Sequence, residues 1–505
     1  MPEATQSSLL PSPQSVLTQL GIDSNRIRNM SPGPRRTHCR AIINWLTRHR
    51  PTPGASNLQQ VKGYLQAFDH LCAIEEWERA MSLITRKLNT PSGDPLHYQL
   101  KLWGYAQERT ELYQALVDHV NHRGNESWNA RALQFLGESY ATQGKYHQAK
   151  ACYERSLSIF NTIGKAEDIG MLFSVLGEVY YALGDYDQAI THQTKFLHIA
   201  KAENLQYGEG IALGSLGNIY EAKGDYAQAK HYHQQHLVIA RDMGDLELEG
   251  AALGNIGSCC QATSQYVQAK HYHQQHLTLA TTIGNRQGQG NALGGLGSAC
   301  YSLGDYAQAK TYFEQQRDIA HEINDALGEG NALGALGNVY FSTEQYEQAI
   351  TLHRQHLEKA KAISHTRGIL HALGNLGNVH IATTNYPQAT DYYKQQLALA
   401  QEIGDRTGEA LALGNLGIIA YELGHYDESL TLMNQQLSIV VEIGDRAREA
   451  QALGNLGNVH SALGNTPKAK QYYEKALAIA QEIGDPQTEA NTLSYIASLT
   501  LHSKH

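Results

Sequence analysis

The stretch DRTGEALALGNLGIIAYELGHYDESLTLMNQQLSIVVEI occupies residues 405–443. It reads as two helices joined by one glycine. Asp405 is placed to cap the first, just after Gly404 closes the helix before it. Leu413, Leu416 and Ala420 recur at helical spacing. Gly424 stops that pattern, and a second helix runs from about Tyr426 to Ile443. Each run of about 17 residues is roughly 26 Å long. Neither can bury its apolar stripe alone, so neighbours must stack on it.

Those neighbours are copies of the same unit. From residue 131 the chain divides without a gap into nine blocks of 40, starting at 131, 171, 211, 251, 291, 331, 371, 411 and 451. Tyr146, Tyr186, Tyr226, Tyr266, Tyr306, Tyr346, Tyr386 and Tyr426 form one column, with Thr466 in the ninth block. Three residues on, alanine holds every block except at Ser429. The elements LGNVY, GxYxxA and a closing leucine resemble the tetratricopeptide repeat. The longer form ALGNLGN…HLxxAxxIGDRxxEA is similar to the 40-residue subclass of Partner-of-Inscuteable/LGN-type adaptors and of long arrays in bacterial signalling proteins. The resemblance covers about 360 of 505 residues. It implies an all-α fold, a right-handed superhelix (α-solenoid) of paired antiparallel helices.

Within that frame the glycines acquire a place. Gly137, Gly177, Gly217, Gly257, Gly297, Gly337, Gly377, Gly417 and Gly457 form the small-residue column of the first helices. A side chain there would hold paired helices apart. A helical glycine costs about 1 kcal/mol against alanine, so close packing must offset it. A phosphate-binding reading fails, because these glycines sit mid-helix and no GxxxxGK[ST] occurs.

Outside the array the composition changes. All four tryptophans precede residue 129, and nine of twelve prolines precede residue 96. Residues 1–35, with their Ser-Pro and Gly-Pro punctuation, are expected to lack fixed structure. Residues 36–130 are expected to form a helical region with two degenerate hairpins. One of these is YLQAFDHLCAIEEWERAMSLI (64–84), with Trp77 and Ala80 in the aromatic and alanine columns. The basic stretch RRTHCRAIINWLTRHR (35–50) reads first as a capping helix packed through Trp45, and second as a docking helix for an acidic partner, a membrane surface or nucleic acid. The array spans 131–490. Residues 491–505 read as a C-terminal capping helix with Leu493, Ile496 and Leu499 on one face.

A net charge of −9 argues against a chain devoted to wrapping nucleic acid. No apolar run reaches the roughly 18 residues needed to span a bilayer. The N-terminus lacks the basic and apolar regions of a secretory signal. The six cysteines form no CxxC pair and read as reduced thiols of a cytoplasmic protein.

In arrays of the resembled kind, ligands lie along the concave surface made by the first helices, and the residue after the small glycine points into it. Here that column reads Glu138, Glu178, Asn218, Ser258, Ser298, Asn338, Asn378, Ile418, Asn458. Three residues further it reads Ala141, Tyr181, Glu221, Gln261, Tyr301, Phe341, Ile381, Tyr421, Ser461. The candidate groove residues are therefore Asn218, Asn338, Asn378, Asn458, Tyr181, Tyr301, Phe341 and Tyr421. Asparagine offers a donor and an acceptor to a peptide backbone, and aromatic rings add contact area. Arg286, Arg367, Arg406 and Arg446 recur near first-helix starts; Arg406 and Arg446 in particular are expected to pair with acidic side chains of a ligand.

The repeated QAKHYHQQHL (228–237 and 268–277) holds HxHxxH, which invites a metal reading. His233 and His236 share a stripe with Ala229, Leu237 and Ala240, while His231 points elsewhere. Three converging ligands are missing from one copy, so the histidines read as packing between helices. No catalytic constellation, metal or cofactor is expected. The sequence thus points to a non-enzymatic scaffold or adaptor holding an extended segment of a protein or peptide partner, without nucleic acid or a membrane span. The alternative is a ligand- or peptide-responsive regulatory sensor in bacterial signalling. Oligomeric state is left open.

Overall fold

The computed structural model describes residues 9–52, 54–90, 92–120, 126–163 and 166–502. They fall into two compact units, Met1–Gly244 and Asp245–His505. Among the described residues there are 26 α-helices and no strand beyond an isolated antiparallel bridge, Lys87–Pro95.

The first unit opens with three helices, Pro13–Gln19, Ser24–Arg28 and Pro34–Arg48. Two hairpins follow: Asn57–Ala73 with Trp77–Ile84, and Leu96–Leu102 with Ala106–Val120. One apolar core joins them through Val16, Ile42, Phe68, Leu71, Leu83 and Leu100. The expectation of an unstructured 1–35 therefore needs correction over residues 9–35; residues 1–8 lie outside the described residues. Pro13 occupies the first helical turn, where its missing N–H costs nothing. Ser12 caps that helix by accepting from the Ser15 N–H, and Asp23 caps the next by accepting from Asn25. Val16, Leu17, Leu20 and Ile27 are buried, so apolar spacing outweighs the Ser-Pro punctuation.

From Glu126 onward the helices come in pairs at 40-residue pitch. Three pairs belong to the first unit, from Glu126–Thr142 to Tyr226–Met243. In the second unit the pairs run from Leu246–Ala262 to Thr466–Ile483. Within each unit every helix of these pairs packs on the next along the chain, the arrangement of an α-solenoid. The final helix, Pro486–His502, starts five residues earlier than residue 491, in register with the other first helices. Residues 503–505 lie outside the described residues. This helix covers Ala469 and Tyr473 through Ile496 and Leu499, whereas Leu493 is 48% exposed.

The paired helices meet at the glycines. A Cβ on Gly457 would lie 2.5 Å from Cε1 of Tyr473; on Gly297, 2.5 Å from Cε1 of Phe313; on Gly337, 2.5 Å from Cε1 of His353. A second glycine column lies three residues earlier and receives the side chain one turn further along the second helix. A Cβ on Gly334 would sit 2.8 Å from His356 Nδ1, and on Gly374 2.8 Å from Gln396 Nε2. Gly454 faces Ala476 in that column and has nothing within 4 Å.

Turns follow the same register. The residue ending the first helix's turn has positive φ throughout, as at Gly304 (79°), Gly424 (77°) and Gly464 (73°). Ser264, Glu344 and Thr384 hold the same conformation at 58°, 59° and 56° without glycine's freedom.

Histidines fill several glycine gaps as neutral rings. His233 and His353 are 0% and 1% exposed. Burial, with a smaller push from the neighbouring His236 or His356, lowers each to about 4. His356 is also lowered to about 4, by burial and then by His371 and His365. His231 and His271 face solvent, so the rings of HxHxxH divide between the helix seam and the surface.

Two predictions follow from this seam, and one from the turns. Gly457→Ala drives a methyl group into Tyr473 and lowers stability by about 1–3 kcal/mol. Gly454→Ala leaves it unchanged or raises it by up to about 1 kcal/mol; urea unfolding distinguishes the two. Thr384→Gly relieves the left-handed backbone and raises stability by about 1 kcal/mol. The unfolded chain protonates its histidines near pH 6.5, but the folded rings resist until about pH 4. The stability they contribute is complete above pH 6.5 and is lost as pH falls towards 4, by about 1–3 kcal/mol per ring. The double variant His353→Phe/His356→Gln, built from residues the array already uses at Phe313 and Gln396, should lose less of its melting temperature over that range than the wild type.

Candidate functional site

The first helices leave one face free of the glycine seam. Each residue after the glycine column lies at its border. Glu178, Asn218 and Asn378 are exposed there; Asn338, Ile418 and Asn458 are half-buried. Two of these amides are held by the second helix of their own repeat. Tyr393 OH donates to Asn378 Oδ1 at 2.6 Å, and Tyr473 OH donates to Asn458 Oδ1 at 2.7 Å. Both tyrosines are buried, at 0% and 3% exposure. Desolvation raises both phenols, Tyr473 to about 12, so each remains a proton donor. At Asn218 and Asn338 the residue fifteen positions on is a histidine, His233 or His353.

The aromatic column lies against the second helices. Tyr301 packs on Tyr306 with ring centres 5.4 Å apart, Phe341 on Tyr346 at 5.9 Å, Tyr421 on Tyr426 at 5.8 Å, and Tyr181 on Tyr186 at 5.9 Å. Tyr301 OH also shares a hydrogen bond of 2.7 Å with Ser342 Oγ of the next repeat. Gln261 makes the equivalent link by donating to Ser302 Oγ at 2.8 Å. Tyr301 and Gln261 thus tie consecutive first helices together.

Three of the four arginines already have acidic partners within their own repeats. Arg406 reaches Glu409 and Glu442, each at 2.5 Å. Arg446 repeats this with Glu449 and Glu482, each at 2.5 Å, and Arg286 pairs with Glu322. A separation of 36 residues brings the start of one helix beside the end of its antiparallel partner. These cations clip the repeat's own ends.

The acidic positions of the first unit differ from one another. Glu138 accepts from Lys101 at 2.9 Å and from Arg109 at 2.7 Å, both donors coming from the degenerate hairpins. Burial would raise its carboxyl, but those two cations hold it below the ordinary range. Arg109 is 1% exposed and needs that counter-charge. Glu178 and Glu221 have their carboxyls raised by desolvation.

Sequence reasoning missed a second row of amides. Two residues before the glycine column, the second unit carries Asn255, Asn375, Asn415 and Asn455. Asn455 lines a cavity of about 540 Å³ between the helices Arg446–Ala462 and Pro486–His502, with Gln451, Asn491, Thr492 and Tyr495. The available signal was the 40-residue recurrence of asparagine in that column. The tyrosine partners Tyr393 and Tyr473 were also missed as site residues, although each follows its asparagine by fifteen positions.

Among the described residues no helix is long and apolar enough to cross a membrane. Comparison with the curated proteins yields no match. Among solved structures, the chain is similar to a signal transduction ATPase with a tetratricopeptide repeat sensor from Pyrococcus horikoshii. That match has 14% identity, covers 82% of this chain and 68% of that one, and has a TM-score of 0.49. It is also similar to aspartyl phosphate phosphatase F from Bacillus subtilis (14% identity, 79% and 96% covered, TM-score 0.49). A third similarity is to the quorum sensor NprR from B. thuringiensis (14% identity, 76% and 100% covered, TM-score 0.49). The tetratricopeptide repeat family model matches at 128–202, 168–242, 208–282, 288–362, 368–440, 412–482 and 448–503. Those matches span most of the chain and coincide with the helix pairs, so this protein belongs to the tetratricopeptide repeat family.

Proposed function

We propose that the first-helix face of the second unit is a groove that holds an extended segment of a protein partner, and that the protein is a non-enzymatic scaffold or adaptor of the cytoplasm. The carrying observation is a row of amides along the rim of the helix seam, two of which give only their carbonyl end to it. Asn338, Asn378 and Asn458 border the face, Asn375, Asn415 and Asn455 follow beside them, and a cavity opens where the last two first helices meet. Peptide N–H and C=O groups need such partners when they leave water. Part-exposed rings at Tyr301, Phe341 and Tyr421 add apolar contact alongside. The buried single thiols Cys259, Cys260 and Cys300 support a reducing compartment.

Most arginine charge on the first helices of the second unit, at Arg286, Arg406 and Arg446, is spent inside its own repeats, and Arg367 stands exposed. The favoured partner is therefore an uncharged segment held through its main chain rather than an acidic one. The test uses twelve-residue peptides selected on the full chain from a random display library. The triple variant Asn338→Ala, Asn378→Ala and Asn458→Ala should bind them at least tenfold more weakly while keeping its helical signal. Equal affinity in the folded triple variant rules out the groove.

A further inference from the structure

We propose that Tyr393 and Tyr473 are positioning residues that turn the amides of Asn378 and Asn458 outward as hydrogen-bond donors, so that this part of the face reads acceptor oxygens, with an apolar step at Ile418 between them. The inference rests on the groove reading above and gives it a polarity. Asparagine on a surface can present either end of its amide. Here the choice is made from beneath. Each tyrosine hydroxyl is buried, and its only proton goes to the asparagine Oδ1, at 2.6 Å for Asn378 and 2.7 Å for Asn458. With the carbonyl end engaged, the NH₂ end is left to face the groove.

The glycine gap makes this reach possible. The Tyr393 ring fills the space at Gly377, and the Tyr473 ring fills the space at Gly457. A phenol is the filler in that column that both fits the gap and extends a hydroxyl to its rim. Phe313 fills the same gap at Gly297, and as a ring without a hydroxyl it offers no such bond to Ser298 at the rim. Between the two tyrosines the column changes together: Met433 fills the gap at Gly417, and the bordering residue is Ile418. The order along the face is donor, apolar, donor. First helices of consecutive repeats touch, so at about 8–10 Å per step the two donors are roughly 20 Å apart. That distance is about six residues of extended chain at roughly 3.3 Å each. The matching partner is an extended segment that places an acceptor oxygen at each end of such a span and an apolar side chain near its middle.

Two measurements on the full chain separate this proposal from the groove reading. The first needs no partner. In protein labelled with ¹⁵N-asparagine, the side-chain NH₂ pair missing from Asn378→Asp is assigned to Asn378. Tyr393→Phe should move that pair towards the position of free asparagine and leave other asparagines in place; an unmoved pair overturns the lock. The second uses the library-selected peptides. Asn378→Asp keeps an oxygen for the Tyr393 hydroxyl but turns the outward donor into an acceptor, and should weaken binding at least tenfold. Tyr393→Phe should weaken it three- to tenfold with a melting temperature near that of the wild type. Undiminished binding by Asn378→Asp overturns the donor role even where the lock is seen. Selected peptides that share a charged residue in place of the central apolar one overturn the Ile418 step. If no selected peptide depends on any of the three asparagines, the groove itself fails, whatever the NH₂ signals show.

Discussion

The contact on which everything else rests is the approach of a second-helix side chain to a first-helix backbone that has no Cβ. A glycine inside a helix costs about 1 kcal/mol against alanine, and the array accepts that cost in every repeat. In return the gap at each glycine is filled from the partner helix: by Tyr153, Gln193, His233, His273, Phe313, His353, Tyr393, Met433 or Tyr473. These side chains share little chemistry. They share a shape that enters a narrow slot walled by backbone. The slot therefore sets helix spacing and leaves the chemistry of its occupant free to vary.

That freedom has consequences at the surface. An occupant with a polar atom must satisfy it, leave it neutral, or carry it to the rim. Gln193 and Gln396 donate to backbone carbonyls, at Ser174 and Leu370. His233 and His353 stay neutral because burial disfavours their charged form. Tyr393 and Tyr473 carry a hydroxyl to the rim and capture an asparagine. At Asn378 and Asn458 the residue after the glycine is thus coupled to the occupant of the gap, and packing inside the repeat reaches its rim through one hydrogen bond.

The legible part of the sequence was the part written locally and repeated. Asp405 capping Gly408 N, Gly404 in a left-handed turn and the pitch of 40 residues each involve neighbours in the chain. The degenerate hairpins were legible for the same reason, since Trp77 and Ala80 keep their spacing. The N-terminal helices were not, because Ser-Pro and Gly-Pro signals describe turns and say nothing of what Val16 and Leu20 touch. The arginine ion pairs were not legible because Glu442 and Glu482 meet Arg406 and Arg446 only after the chain has turned back on itself. For the same reason the repeat pattern did not relate Asn378 to Tyr393, fifteen residues further along. Sequence periodicity places residues on faces; it does not say which end of an amide is spent.

The two units also show how one repeat can carry different surfaces. In the first unit, Glu138 is neutralised by Arg109 and Lys101 from outside the long repeats, while Glu178 and Glu221 remain desolvated acids. In the second, ion pairs within the repeat join the helix ends at Arg286, Arg406 and Arg446, and amides recur along the first helices. Ion pairs formed inside a repeat add little stability at an exposed surface, yet they remove charges that would otherwise attract or repel many partners. What then distinguishes one extended segment from another is the spacing of donors and apolar steps. Spacing in a solenoid is set by helix packing, which returns the question of specificity to the glycine gaps and to the side chains that fill them.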